Sequence, residues 1–271
     1  MSESDAQLEL VKALKKAIYG ELPSTPRGVI HTVSAVRPAG FASPHRTPGQ
    51  WHVIKIQAGA PESETDAFVL RFWRAHYDAI LTTGQILRAE PSLSYAQDGP
   101  LALGLTRYRR EVLGKSGPTR CAIMTRGPQL PADHPVFHGA SEIELLVLTS
   151  PQNVAELRKM LGDRAEVVGL PQLDARAALD FLERTGSQTI GVEAGPSVAG
   201  TLYGQPSVVE HLMLSICEAP VEPQGIGGAL PADPTFFGDL TLVSEVRREE
   251  ASGVWRFQHW QRAESVRGPG R

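Results

Sequence analysis

The 271-residue sequence predicts an α/β fold, in which a mostly parallel sheet carries helices on both faces. Short apolar runs alternate with amphipathic segments between residues 78 and 217, and strands that are joined by helices pair in parallel. Right-handed crossovers would place those helices on both faces of the sheet. Nearer the C-terminus, Leu240 to Val246 and Val254 to Trp260 alternate around a polar turn, which predicts an antiparallel hairpin. No repeat or linker divides the chain, so we expect one main domain.

Composition argues against several classes of partner. Hydrophobic residues make up 41% of the chain and the formal net charge is −3, with acidic and basic residues interspersed. No apolar run approaches the length of a membrane span, so we expect neither a membrane nor a nucleic-acid partner. The acidic, polar N-terminus is unlike a secretory signal, which favours a cytoplasmic protein.

Two cysteines, Cys121 and Cys217, lie inside apolar runs. Such residues are usually buried free thiols in a cytosolic protein. Neither has metal-ligand neighbours at a useful spacing, so the sequence predicts no metal site.

Residues 1–27 predict an amphipathic helix followed by a connector. Ser4 with Gln7 fits a capping box. Four apolar residues then recur at helical spacing before Gly20: Leu8, Val11, Leu14 and Ile18. We expect this helix to pack on the domain surface or on a partner subunit, and the tail 263–271 to be disordered.

Two strand candidates, Gly28 to Val36 and Trp51 to Gln57, precede the first long helix of the main domain. A surface loop with three prolines and two glycines separates them, and the sequence does not decide which is the first strand of the sheet. Ser63 is predicted to cap a helix that runs through Tyr77 with its aromatic residues inward.

Four predicted strands end in turns at 83–86, 125–126, 149–150 and 194–197. Ligands of open α/β sheets bind beyond the carboxyl ends of the strands, so we expect these turns to converge on one extended ligand. Ser150 is expected to cap the helix after the third of these turns, with Pro151 at its first position.

The turn at 194–197 carries the sharpest local pattern. Glu193 and Ala194-Gly195-Pro196-Ser197 follow an apolar run and precede a short amphipathic segment that stops at Gly204. Backbone N–H groups in such a turn, at a helix N-terminus, favour an anion. A tight turn without a ligand has the same spacing, and both interpretations stay open on spacing alone.

Two blocks of sequence resemble the reductase domain of bacterial riboflavin-biosynthesis deaminase-reductases. The first is Asp78-Ala79-Ile80-Leu81, then Gly84, then Arg88-Ala89-Glu90-Pro91-Ser92-Leu93. The second is Glu193-Ala194-Gly195-Pro196-Ser197, then Gly200, then Val209-Glu210. The resemblance covers roughly residues 28–262 and implies a dihydrofolate-reductase-like, three-layer α/β/α domain over that range. It also implies a homodimer and an NADPH-dependent reductase similar to 5-amino-6-(5-phosphoribosylamino)uracil reductase.

The resemblance assigns expected roles to particular residues. Glu193 is expected to be the acidic catalytic residue that holds the substrate or the nicotinamide, although a carboxylate there could instead cap the following helix. The expected substrate-binding residues are Ser34, Arg88, Leu93 and Glu193. The expected NADPH-binding residues are Thr82, Thr83, Gly84, Thr125, Arg126, Thr149, Ser150, Ala194, Gly195, Pro196 and Ser197. Among these, Thr149 and Ser150 are expected near the 2′-phosphate.

Three departures from the family pattern bear on this expectation. Ala96 stands where the family has an arginine that holds the substrate phosphate, and Ile86 stands where it commonly has a threonine facing the cofactor phosphates. The strand end at Ser34 lacks the family's aspartate. The basic run Arg107, Arg109 and Arg110 is more typical of a solvated face than of a phosphate site. Two hypotheses therefore remain: a reductase whose substrate need not be the family's own, or a catalytically silent relative that binds a nucleotide or a protein partner.

Overall fold

The computed structural model describes residues 2–20, 22, 26–36, 51–54, 60–138, 142–204, 206–219, 221, 225–229 and 239–263. The α-helices in these ranges are α1 (Glu3–Tyr19), α2 (Glu64–His76), α3 (Gly84–Ala89), α4 (Ala102–Arg107), α5 (Val154–Leu161), α6 (Ala175–Arg184) and α7 (Pro196–Ala199). The strands are β1 (Gly28–Val36), β2 (His52–Ile54), β3 (Ala79–Thr83), β4 (Thr119–Met124), β5 (Ile143–Thr149), β6 (Glu166–Gly169), β7 (Thr189–Val192), β8 (Val209–Cys217), β9 (Ile226–Ala229), β10 (Leu240–Glu250) and β11 (Gly253–Arg262).

All described strands belong to one sheet, whose main path runs β10-β11-β8-β1-β7-β3-β4-β5-β6. The pairs from β8 through β6 are parallel, while β11 pairs antiparallel with both β8 and β10. The expected fold class, a mostly parallel mixed sheet with a C-terminal antiparallel hairpin, is confirmed. The central position of β1, between β8 and β7, identifies it as the first strand of the parallel sheet.

Burial on both sides of the sheet produces three layers. Ile80 belongs to the apolar cluster that contains residues of α1 and α2, whereas its neighbours Ala79 and Leu81 belong to the cluster that contains residues of α6. Successive residues of a strand point to opposite faces, so the two clusters lie on opposite sides of the sheet.

Helix α2 forms as the sequence predicts. The Ser63 hydroxyl caps it by accepting the N–H of Asp66, and Phe72 and Trp73 are completely buried. Its residues 66, 70 and 74 fall four apart and therefore share one side of the helix.

Helix α1 has a different cap from the one predicted. Ser2, rather than Ser4, is the N-cap, because its hydroxyl accepts the N–H of Asp5 while the Asp5 carboxylate accepts the N–H of Ser2. The helix packs on its own chain: Trp73 Nε1 donates to the Tyr19 hydroxyl at 2.9 Å.

Other element bounds also differ from prediction. The sequence predicts no strand between Val221 and Pro234, but this segment contains β9. Strands β10 and β11 are longer than predicted, because backbone pairing continues through polar residues that break the apolar alternation. The expected loop 37–50, residues 55–57 of the second strand candidate and most of the expected disordered tail lie outside the described residues.

Candidate active site at the carboxyl edge of the sheet

The sheet order brings the four predicted turns to one edge. They follow β3, β4, β5 and β7, which are neighbours in the order β7-β3-β4-β5 and are parallel. Neighbouring strands lie about 4.8 Å apart, so the turns span about 14 Å. An extended ligand could therefore contact all four.

A buried ion pair lies beside the turn after β7. Arg74 Nε donates to Glu193 Oε1 at 2.8 Å and Nη2 donates to Oε2 at 2.6 Å, a bidentate contact. The remaining Nη1 donates to the Ser94 carbonyl at 2.8 Å, and the guanidinium lies 4.8 Å from the centre of the Tyr95 ring. The side chains are only 6% and 10% exposed. Glu193 does not cap the next helix, whose N-cap is Gly195 without a side-chain bond.

The charges of Glu193 and Arg74 act on the carboxyl of Glu90. Burial is the largest cause that raises the pKa of its carboxyl, the charge of Glu193 also raises it and Arg74 opposes the shift, and together they bring the pKa to about 7. A carboxyl of this kind is partly protonated near neutral pH, so it can donate a proton as well as accept one.

A second carboxylate lies at the end of β1. Ser34 Oγ donates to both carboxylate oxygens of Asp66 at 2.8 Å, and Ser215, its register partner on β8, bonds to the same group. Burial raises the pKa of Asp66. Strand β1 lacks an aspartate at its end, yet α2 supplies a carboxylate there.

The turn after β7 leaves backbone donors available. Within the described residues, the N–H groups of Ala194 and Gly195 have no hydrogen-bond acceptor. A Cβ on Gly195 would meet no atom within 4 Å, so its backbone can be approached closely. Pro196 opens α7 and Ser197 is exposed, but α7 has only four residues. Its dipole is correspondingly small, and the free N–H groups are the stronger argument for an anion here.

The turns after β4 and β5 are joined by Asn153. Its Nδ2 donates to the Arg126 carbonyl at 2.9 Å and to Ser150 Oγ at 3.0 Å. The Ser150 hydroxyl therefore does not form the predicted cap, although Ser150 occupies the N-cap position before a 3-10 turn, Pro151–Asn153, that leads into α5. Thr149 is completely buried, whereas the Arg126 side chain is exposed.

The hydroxyl groups of the turn after β3 form hydrogen bonds with other groups of the protein. Thr82 is completely buried and accepts from the Tyr95 hydroxyl at 2.7 Å. Thr83 caps α3 through the N–H of Ile86. A Cβ at Gly84 would come within 2.7 Å of Leu130 Cδ2, so a larger residue there would have to displace the buried Leu130 side chain. Thr125 likewise donates its hydroxyl to the Gly127 carbonyl.

The basic residues considered for phosphate binding have other partners. Arg88 Nη1 donates to the Gln129 carbonyl at 2.7 Å. Arg107 forms ion pairs with Asp5 and Glu111, and Arg109 donates to three backbone carbonyls. The stretch from 102 to 112 is α4 followed by a π-helical turn, and its arginines hold this segment and α1 in place.

Sequence reasoning missed Arg74, Asp66 and Tyr95, and it placed Glu90 in a motif without a role. A spacing signal existed for two of them, because Asp66 and Arg74 are eight residues apart on a predicted helix and therefore share a side. Nothing in the sequence pairs Arg74 with Glu193, which lies 119 positions away.

The described residues contain no group of three or more His, Cys, Asp or Glu side chains that could hold a metal ion. None of their helices has the length and apolar composition that crossing a bilayer requires.

Comparison with known proteins identifies the fold. No family profile matches the chain, and no curated protein matches it by sequence. Solved structures do match. A pyrimidine reductase-like protein from Corynebacterium diphtheriae superposes with a TM-score of 0.60 and 21% identity, over 93% of this chain and 99% of that one.

Two further solved structures match the chain. RibD from Acinetobacter baumannii gives a TM-score of 0.59 at 11% identity, over 89% of this chain and 59% of that one. The yeast (Saccharomyces cerevisiae) riboflavin biosynthesis reductase Rib7 gives 0.56 at 13% identity, over 94% of this chain and 100% of that one. The chain therefore has the dihydrofolate-reductase-like fold of the riboflavin-biosynthesis reductases.

Proposed function

We propose that the protein is an NADPH-dependent reductase acting on a small pyrimidine- or pterin-like substrate. The observation that carries this proposal is the Arg74–Glu193 pair with Glu90 beside it, at the sheet edge where the turns after β7, β3, β4 and β5 lie together. Ligands of α/β sheets bind at this edge.

The residues present fit a dinucleotide phosphate. Ala194 and Gly195 offer unpaired N–H groups to a pyrophosphate, and the open space at Gly195 allows close approach. At the turns after β4 and β5, the exposed Arg126 guanidinium and the Ser150 hydroxyl suit a 2′-phosphate. NADPH would supply a hydride to a carbon of a C=N or C=O bond.

Reduction of such a bond also requires a proton on its nitrogen or oxygen. Glu90, with its pKa raised to about 7, is the group we assign to supply it. Arg74 fixes the Glu193 carboxylate, which would orient the polar edge of the substrate ring.

The substrate is proposed to differ from the phosphorylated intermediate of riboflavin synthesis. Ala96 cannot hold a phosphate, and Arg88 and Arg107 are bound to other groups. Loss of one charge-assisted phosphate contact costs about 1.5–3 kcal/mol, or about one to two orders of magnitude in affinity.

Fluorescence titration with NADPH and NADH tests the proposal. We expect saturable NADPH binding with a Kd on the order of micromolar, about −8 kcal/mol, and weaker NADH binding. Gly195→Val should weaken NADPH binding by about tenfold or more, because a branched side chain blocks close approach of a phosphate. Circular dichroism should show an intact fold, since the added Cβ meets nothing within 4 Å.

Gly204→Val is the matched control. Gly204 has nearly the same backbone conformation as Gly195, with φ −61° and ψ 150° against φ −60° and ψ 160°, and its added Cβ meets only ordinary contacts. It should bind NADPH as the wild type does. Absence of saturable binding up to millimolar NADPH would refute the reductase proposal and favour a catalytically silent relative. Equal binding by Gly195→Val and wild type would show that the cofactor lies on another turn.

A further inference from the structure

The segment 127–138 after β4 packs against α3 and against the turn that follows α3. Arg88 donates to the carbonyl of Gln129, and Arg164 Nη1 donates to the carbonyl of Ala132 at 2.8 Å. Leu130 is buried against Gly84. These contacts hold residues 129–132, which directly precede His134.

His134 lies within this segment and is 4% exposed. Its Nδ1 accepts the N–H of Val136 at 3.1 Å, and its Nε2 lies 2.9 Å from the carbonyl oxygen of Glu90. A backbone N–H can only donate and a carbonyl can only accept, so the two partners fix the neutral tautomer with its hydrogen on Nε2.

The Glu90 carbonyl that receives this bond also closes a turn. The N–H of Leu93 donates to it at 3.1 Å, and Pro91 occupies the position after Glu90 that proline favours in such turns. Among the described residues, His134 supplies the side-chain hydrogen bond at the start of this turn, beside the backbone bond that the Glu90 N–H donates to the Ile86 carbonyl.

We propose that His134 is a positioning residue, which holds the Glu90–Leu93 turn so that the Glu90 carboxyl stays beside Arg74 and Glu193. The inference deepens the proposed function, since it names the residue on which the geometry of the proton-donating group depends. The groups that act on the Glu90 carboxyl are Glu193, at the end of β7, and Arg74, on α2.

The test is a pH titration of the Glu90 carboxyl by carbon NMR, on protein labelled at glutamate. Glu90→Gln identifies the signal by its disappearance. In His134→Phe, which keeps a ring but removes both hydrogen bonds, the midpoint should fall by about one pH unit or more, because a released carboxyl returns towards water. His134→Gln keeps a donor and should retain most of the wild-type midpoint.

His138→Phe is the matched control, because His138 is exposed four positions later and its side chain forms no hydrogen bond within the described residues. It should leave the midpoint unchanged. A folded His134→Phe with the wild-type midpoint would overturn the proposal. If His134→Phe does not fold, His134→Met is the second donor-free variant with the same expectation, and failure of both to fold would also overturn it, since His134 would then serve the whole fold.

This measurement uses the protein without cofactor or substrate. Its outcome is therefore separate from that of the NADPH titration. A shifted Glu90 midpoint without NADPH binding would support the positioning role of His134 and refute the reductase proposal. NADPH binding with an unshifted midpoint would support the reductase proposal and refute the role of His134.

Discussion

At the residue scale, the central feature of the candidate site is the Arg74–Glu193 pair, because both charged groups are buried away from water. Desolvation of such a pair is largely offset only while both partners are present. Glu193→Gln should therefore destabilise the protein by about 3–5 kcal/mol, since Arg74 stays buried without its counter-charge. The double variant Arg74→Met with Glu193→Met should cost much less than the sum of the two single variants.

Urea denaturation of the wild type, both single variants and the double variant would measure this coupling. Additive single effects would show that the two side chains stabilise the fold independently, against the bidentate contact described here.

Glu90 makes stability depend on pH. Its pKa is raised from an ordinary 4.5 to about 7, so folding favours the protonated carboxyl. The stabilisation is present below pH 4.5 and is lost as the pH rises towards 7, because over that range the unfolded chain binds fewer protons than the folded one. Glu90→Gln cannot ionise, so it should gain stability relative to the wild type as the pH rises.

Chemical denaturation of both proteins at pH values below, within and above this window would test the prediction. A stability difference that stays constant with pH would mean that Glu90 is freely solvated.

At the element scale, the turns after β4 and β5 are proposed to select NADPH over NADH. Arg126→Gln should weaken NADPH binding by about one to two orders of magnitude, the value of one charge-assisted contact to phosphate. NADH lacks the 2′-phosphate and should bind with unchanged affinity. Arg184→Gln removes the same charge at the exposed end of α6, which leads to the amino end of β7, and should change neither affinity.

A parallel loss of NADPH and NADH affinity in Arg126→Gln would place this arginine elsewhere on the cofactor. An unchanged NADPH affinity in Arg126→Gln would show that Arg126 does not contact the cofactor.

The element scale is also where sequence reasoning worked best. Helix α2 was predicted because Ser63 caps it and its apolar residues recur at helical spacing, which are both local signals. Strand β9 was missed because Ile226-Gly227-Gly228-Ala229 has almost no β-forming side chains and pairs only through its backbone with β2.

The site was less predictable than the fold for the same reason. Spacing placed the turn at Gly195 correctly at a strand end, but Arg74 meets Glu193 across 119 positions and Asp66 meets Ser34 across 32. Such contacts depend on the strand order, which no local pattern encodes. Thr82 and Thr149, which were expected to bind NADPH, are completely buried, a feature that local spacing does not reveal.

At the scale of the whole molecule, the sheet has an unpaired edge within the described residues. Strand β10 is the last strand of the path, and Leu242 and Val243 on it are 41% and 48% exposed. An exposed strand edge with apolar side chains is prone to pair with another chain unless it is covered. We therefore predict a homodimer that buries the β10–β11 hairpin.

Light scattering at micromolar concentration should report twice the 29.3 kDa of one chain. Leu242→Asp should shift the mass towards the monomer, because a charge in an apolar interface is costly unless it is paired. Leu103→Asp makes the same change at a residue that is 51% exposed on α4, and it should leave the dimer intact. A wild-type mass of one chain would refute the dimer, and dissociation by Leu103→Asp alone would place the interface on the helical face, where the sheet edge plays no part.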